Sequence, residues 1–558
     1  MPEHGLRRHL AGAREGRGVL WLGFAVGIIS FIYYYSHGLT TAHYDAKAHL
    51  VVARRILDST SPGYTQMGAH WLPLIHLLYL PAVFWDGQYH SGVIPSLISV
   101  SAFAVSGWMT FRIAQRMTGS AFSGFFAAAV VLGNPNLLYL QSAPLTEPVS
   151  MALSLLALDS MLRWRDAGAG GIPWQSASWA ALGALCRYEG WLFVAGLIVL
   201  VLVDSLWQRI PRMHAFRAAA AFAGLSAIPL VAHFSYIYLR LGDSFFHRVA
   251  RGSPAPSATF GRPLLSIWYH FGEVAQAAGT IPLLLGLAGT AYCLVGRERR
   301  KTCAACLVLW LPSLLNIAAL HWGLIYRVRY SVLLLPAIAV FGCLAAAQEK
   351  MRRQVLLLVC FAIFMLPWIS WASPATWNYH LIRPGIGILF LPITALVLLL
   401  ATVSAGRYHQ GLLLLVLCSM WIPVFQGEYR PMVAEALEHR YMQPENQAIL
   451  DYLKGNYQGG GILIDLGRQA PLMYDSGLPL ENFVCHEGDG SDWYQAVADP
   501  IRHVAWLFAS EGDEVWGLLQ VDPHWADGYS LAVQTDHYGL YQRKPESGSL
   551  RPDAGRNQ

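Results

Sequence analysis

The chain has 558 residues, 55% of them hydrophobic and only 13% charged, against roughly 45–50% apolar and about 25% charged in an average soluble domain. That balance excludes an ordinary soluble enzyme. The formal net charge of +5 is no nucleic-acid footprint, because the arginine clusters alternate with apolar runs of bilayer-spanning length, as cytoplasmic anchors do.

Residues 1–18 form a basic, cytoplasmic N-terminal segment with Arg7, Arg8, Arg14 and Arg17. The apolar run after it, about 19–36, has no small-residue cleavage site and reads as a retained signal-anchor helix. Residues 37–91 then make a long external loop containing "WLPLIHLLYLPAVFW". Short and interrupted by Pro73 and Pro81, that stretch reads as interfacial. The second span, about 92–111, returns to Arg112 and Arg116. Spans three and four, about 121–141 and 146–162, enclose "SAPLTEP" and end at Arg163 and Arg165. Spans five and six are short helices meeting at the "CRYEG" break.

Span seven covers about 216–239, span eight about 274–296, span nine about 303–322 and span ten about 330–347. Spans eleven to thirteen cover about 355–371, 385–404 and 411–426. With basic clusters inside, about thirteen crossings alternate consistently. The expected fold class is a polytopic α-helical membrane protein whose transmembrane part fills 19–427. A small extracytoplasmic α/β domain over 428–545 follows, because "GGGILIDLG" and "HVAWLFAS" read as strands beside the helix-like "ENQAILDYLKGNY". Residues 546–558 read as a flexible tail. Of the eight cysteines only Cys485 falls in the α/β domain, the others in or beside apolar spans. No disulfide framework follows, and the C-x-x-C of Cys303 and Cys306 has no second pair.

The informative polar residues are those that topology leaves unexplained, and they gather at the outer ends of the spans. Asp45 and His49 share one face if "YDAKAHLVVARR" is helical; Tyr44, Lys47, Arg54 and Arg55 accompany them, although a solvated loop helix with local ion pairs explains the group equally. Glu147 opens span four, where it either caps a helix or faces a site. Arg187 and Glu189 interrupt an apolar stretch, as functional intramembrane ions or a structural pair do. Arg327 and Arg329 suit a phosphate through bidentate hydrogen bonds, or lipid headgroups. Asp243 and His247 form a further external cluster. No P-loop or H-E-x-x-H motif is present.

External carboxylates and arginines fit the movement of a sugar off a lipid phosphate. A carboxylate takes the proton of the attacking hydroxyl, and the arginines hold the departing phosphate. With "YDAKAHL", "LTEP", "CRYEGWL", "LGDSFF" and "YRVRYSVLLLP" in this order, the chain resembles the GT-C class of polyprenyl-phosphate-sugar-dependent glycosyltransferases, in layout the protein O-mannosyltransferases and lipid A aminoarabinose transferases. Where O-mannosyltransferases have tandem Asp-Glu, this loop has Asp45 followed by Ala46.

The resemblance implies an inverting membrane glycosyltransferase with Asp45 as the catalytic acid of the first external loop and Glu147 as the second acid. It places Arg327, Arg329 and Arg187 near the donor phosphate. Lys47, His49, Arg54 and Arg55 support the loop, and Tyr44, Glu189, Asp243 and His247 border the acceptor or donor. No cofactor is required, although Asp45, His49 and Glu147 are donors suited to a divalent ion. Partners are a polyprenyl-phosphate-linked sugar, an extracytoplasmic acceptor and membrane lipids, with no nucleic acid. The expected location is a bacterial inner membrane with the site facing the periplasm or exterior. The rivals are a transporter or flippase of lipid-linked glycans and a non-enzymatic assembly subunit.

Overall fold

The computed structural model describes residues 3–68, 71–242, 257–295, 300–324, 326–347, 416–417, 419–421, 431–441, 443–486 and 491–545. Among them six helices are long and apolar enough to cross a membrane, or seven if one bent pair is a single span. The chain is a multi-pass membrane protein. Its first helix runs from Glu3 to Ser36, so the basic N-terminal segment continues the first span. Trp21, Leu22, Ile29 and Ile32 of that helix are exposed, the pattern of a lipid-facing flank.

Several spans differ from expectation. The second extends seven residues further, as Val93–Thr118. The third is broken: Ala121–Leu132 gives way to Pro135–Leu140. Asn134 causes the restart, its side chain capping Leu137 N at 3.0 Å ahead of Pro135. The fifth is only Trp174–Ala184. At the eighth, Pro263–Ala278 and Thr280–Val295 meet at a 117° bend, so the apolar run is two helices rather than one straight crossing. Gly279 sits in that bend at φ +91°, a conformation L side chains rarely adopt. Spans eleven and twelve and most of thirteen lie outside the described residues, as do residues 546–558.

Thr280–Val295 packs closely on Leu335–Ala347. A Cβ on Gly289 would collide with the Phe341 carbonyl oxygen, so glycine there permits the backbone approach typical of membrane helices. At one end of the bundle the arginines read as anchors are paired: Arg112 and Arg163 with Asp159 at 3.2 and 3.1 Å, and Arg116 with Asp166 at 2.5 Å. The loop segments and the start of Glu147–Asp166 gather at the opposite end.

The α/β part has a five-stranded sheet: β1 (Ile462–Leu463), β2 (Phe483–Val484), β3 (Trp506–Ser510), β4 (Tyr529–Gln534) and β5 (Tyr538–Arg543), in the order β2-β1-β3-β5-β4. β1 pairs in parallel with β2 and β3, while β5 is antiparallel to β3 and β4. Alternation sends Trp506 and Phe508 to one face and Leu507 and Ala509 to the other, and both faces are buried. The Trp506 face shares a continuous core with Leu50, Val51, Ile75, Tyr79 and Val83 of the first loop. The opposite face packs Leu507 on Trp493 and Val515.

Candidate functional site

Asp45 stands in the first turn of the helix Tyr44–Arg55. His43 caps that helix: its Nδ1 accepts from Asp45 N at 3.0 Å, which fixes the backbone that carries the acid. A solvated loop helix is excluded, because nine of the twelve residues are buried. Lys47 donates to Asp475 at 2.5 Å, and Tyr44 donates to the Gly467 carbonyl at 2.8 Å. Both contacts tie the helix to the segment after β1.

Arg329 organises the centre. Its Nε donates to Glu147 Oε1 at 2.9 Å, its Nη2 to Asp45 Oδ2, and its Nη1 lies 2.8 Å from His43 Nε2. Glu147 Oε1 also accepts from Arg187 Nη1 at 2.8 Å, and Arg187 grips Glu189 through Nη2 at 2.8 Å and Nε at 3.2 Å. Asp45, Arg329, Glu147, Arg187 and Glu189 thus form one continuous ionic chain. Glu147 is 0% exposed, and Thr146 makes no side-chain cap, spending its hydroxyl on Arg187 at 2.7 Å. The carboxylate therefore serves the arginines rather than capping alone. The Tyr330 ring lies under Arg187, 4.5 Å from guanidinium carbon to centroid.

Burial alone would raise the Asp45 carboxyl, but Arg329, with His43 and His49, holds it well below the usual carboxylate range. Burial dominates at His49 and pushes it down to about 3. That imidazole is neutral and engaged elsewhere: His76 Nδ1 donates to Leu72 O, leaving Nε2 to accept from His49 Nδ1 at 3.1 Å.

The remaining expectations divide. Arg54 donates to Asp86 at 2.6 Å and to the Val83 carbonyl at 2.6 Å, and buried Arg55 donates to Gln66 at 2.5 Å, so both brace the loop. Arg327 is close enough to Tyr44 and Glu435 to act on their charge, with Arg329 and not Arg327 bridging the two acids. Asp243 and His247 lie outside the described residues. Asp45, His49 and Glu147 do not form a ligand set: Arg329 lies between the two carboxylates, His49 turns to His76, and no group of three or more acidic, histidine or cysteine side chains among the described residues is spaced for a metal.

His43 and Glu435 are additions. Glu435, from the helix Pro431–Tyr441, places Oε2 3.4 Å from His43 Nε2. Burial opposes its ionisation, yet His43 and then Arg329 hold it down at about 2. The position of His43 two residues before Asp45, where a helix needs a cap, was a usable sequence signal. Nothing in "PMVAEALEHR" distinguishes Glu435 from a surface acid.

No protein-family model and no curated protein matches the sequence. Among solved structures, the chain is similar to ArnT from Cupriavidus metallidurans in the apo state, at 13% identity and TM-score 0.57, over 94% of this chain and 98% of that one. It is also similar to the same protein bound to undecaprenyl phosphate, at 12% identity and TM-score 0.53, over the same shares. The likeness spans nearly the whole of both chains and gives this protein the ArnT fold.

Proposed function

We propose that the protein is a membrane glycosyltransferase that moves a sugar from a polyprenyl-phosphate carrier to an extracytoplasmic acceptor with inversion. The observation that carries this reading is Arg329 joining Asp45 to Glu147 at one end of the bundle, in a chain with the fold of a protein solved with undecaprenyl phosphate bound. Two buried guanidiniums beside an acid suit a reaction in which an anionic phosphate departs while a hydroxyl loses its proton.

In this scheme the acceptor oxygen bonds to the anomeric carbon as the bond from that carbon to the phosphate oxygen breaks. Asp45 takes the acceptor's proton, and the charge growing on the phosphate falls to Arg329 and Arg187. A carboxylate tied to a guanidinium is a weak base. A donor phosphate competing for Arg329 releases Asp45 and restores its basicity, so donor binding arms the base. Glu147 holds both guanidiniums in register, and the scheme needs no metal. The site faces the periplasm or exterior of a bacterial inner membrane in this reading.

The test is a panel of polyprenyl-phosphate sugars incubated with the purified protein, with released polyprenyl phosphate read by mass spectrometry. Release identifies the donor. A protein that binds or moves the carriers but leaves every one intact is a transporter or an assembly subunit, and the transferase reading fails.

A further inference from the structure

Next to the ionic chain lies a second polar cluster that the scheme above does not use. The helix Pro263–Ala278 turns Ser266, His270 and Glu273 inward, the latter two 0% and 5% exposed, while Leu264 and Trp268 stand out at 81% and 60%. A membrane helix turns its polar side chains toward the bundle interior, where they face a cavity or pair with one another. The helix Pro312–Trp322 packs alongside and adds buried Ser313 and Asn316. Tyr326 closes the group, its ring centroid 6.5 Å from that of His270 and 6.4 Å from that of Tyr269.

Among the described residues, both ring nitrogens of His270, Oε2 of Glu273, Nδ2 of Asn316 and Oγ of Ser313 have no hydrogen-bond partner. A buried polar atom left unmet costs stability, and native structures seldom keep several together without a use. The cluster adjoins the reacting centre: the Tyr326 hydroxyl is 3.2 Å from Ser331 Oγ, two residues beyond Arg329. Donors and acceptors of mixed type beside tyrosine rings match a ligand with many hydroxyls on an apolar ring. Glu273 and the neighbouring Glu435 disfavour an anion there.

We propose that this polar helix interface is the subsite for the donor's sugar ring, with His270, Glu273 and Asn316 hydrogen-bonding the ring hydroxyls. The assignment rests on the transferase reading, which puts the phosphate at Arg329 and Arg187.

The experiment compares the full-length protein with His270→Phe, Asn316→Leu and Glu273→Gln. Binding is measured for the polyprenyl-phosphate sugar that the wild type turns over and for the same polyprenyl phosphate without sugar. Each variant is expected to bind the sugar-bearing donor about tenfold more weakly, the order of one or two lost hydrogen bonds, and to bind the bare phosphate within about twofold of wild type. The two apolar variants should melt no lower than wild type, since they remove unmet polar atoms. Equal loss of both ligands, normal binding of both, or a lowered melting temperature with loss of both overturns the subsite. A wild type that cleaves no donor overturns the transferase reading and the subsite with it; one that cleaves a donor which the variants bind normally overturns the subsite alone.

Discussion

Replacing Asp45 by Asn separates chemistry from architecture. The amide keeps an oxygen for Arg329 Nη2 and loses the negative charge, so a hydrogen bond between two ions becomes one between a cation and a neutral amide, a difference of about 1 kcal/mol. The Asp45 side chain is 19% exposed, which trims the Coulombic part further. A melting shift of at most about 2–4 °C follows. The rate should respond far more, because a general base contributes about 10²–10⁴, equivalent to about 3–5 kcal/mol of barrier. A third quantity moves the other way: without a competing carboxylate, Arg329 should hold bare polyprenyl phosphate more tightly, by up to about tenfold. Turnover is read as released polyprenyl phosphate, affinity as binding of the sugar-free lipid, and folding as thermal melting. Wild-type turnover in Asp45→Asn, or loss of melting temperature, binding and turnover together, refutes the reasoning.

Arg329→Lys keeps the charge but offers its donors from a single nitrogen, which cannot reach Glu147 and Asp45 in the two directions the guanidinium serves; a stability loss of about 2–3 kcal/mol and a fall of at least about 10² in kcat/KM are expected, and values within twofold of wild type would sink the role. The pH dependence has a defined sign. His49 stays neutral in the folded protein down to about 3, whereas an unfolded histidine protonates near 6.5, so acidification below about 6.5 favours the unfolded chain by up to about 2 kcal/mol at pH 5. His49→Asn, whose amide nitrogen replaces Nδ1 toward His76, should lessen that acid slope in melting temperature, buried His76 keeping its own share, and an unchanged slope counts against it. A chelator should leave transfer unaltered, because the scheme uses guanidiniums where other enzymes use a divalent ion; loss of activity restored by added metal would contradict it.

Much of the membrane part was legible because apolar runs and their flanking arginines follow directly from the bilayer's demand for satisfied backbone and dry side chains. Asp45, Glu147, Arg187 and Arg329 stood out for the same reason, as ions that topology did not explain. Hydropathy is blind to what packing decides. It could not show that Pro263–Ala278 bends away at Gly279, since both halves are apolar, nor that Asn134 breaks the third span. It also left the Tyr44–Arg55 helix open as a solvated element, when its burial depends on a sheet more than 400 positions later. Glu435 was invisible because a carboxylate's partner 392 residues away leaves no local trace.

The clamp on the first loop also bears on how the protein is made. Tyr44 meets the carbonyls of Leu466 and Gly467, Lys47 meets Asp475, Asp58 accepts from the Glu481 amide, and Tyr474 donates to the Tyr89 and His90 carbonyls. At about 5–20 residues per second, a ribosome needs roughly 20–90 s to travel from the acid to the residues that grip it. Through that interval the first loop has been synthesised without its lid, with Leu50, Val51, Ile75 and Tyr79 lacking their partners in the sheet. The acid therefore reaches its working geometry among the last events of biogenesis, and a nascent chain still threading into the bilayer carries no assembled centre.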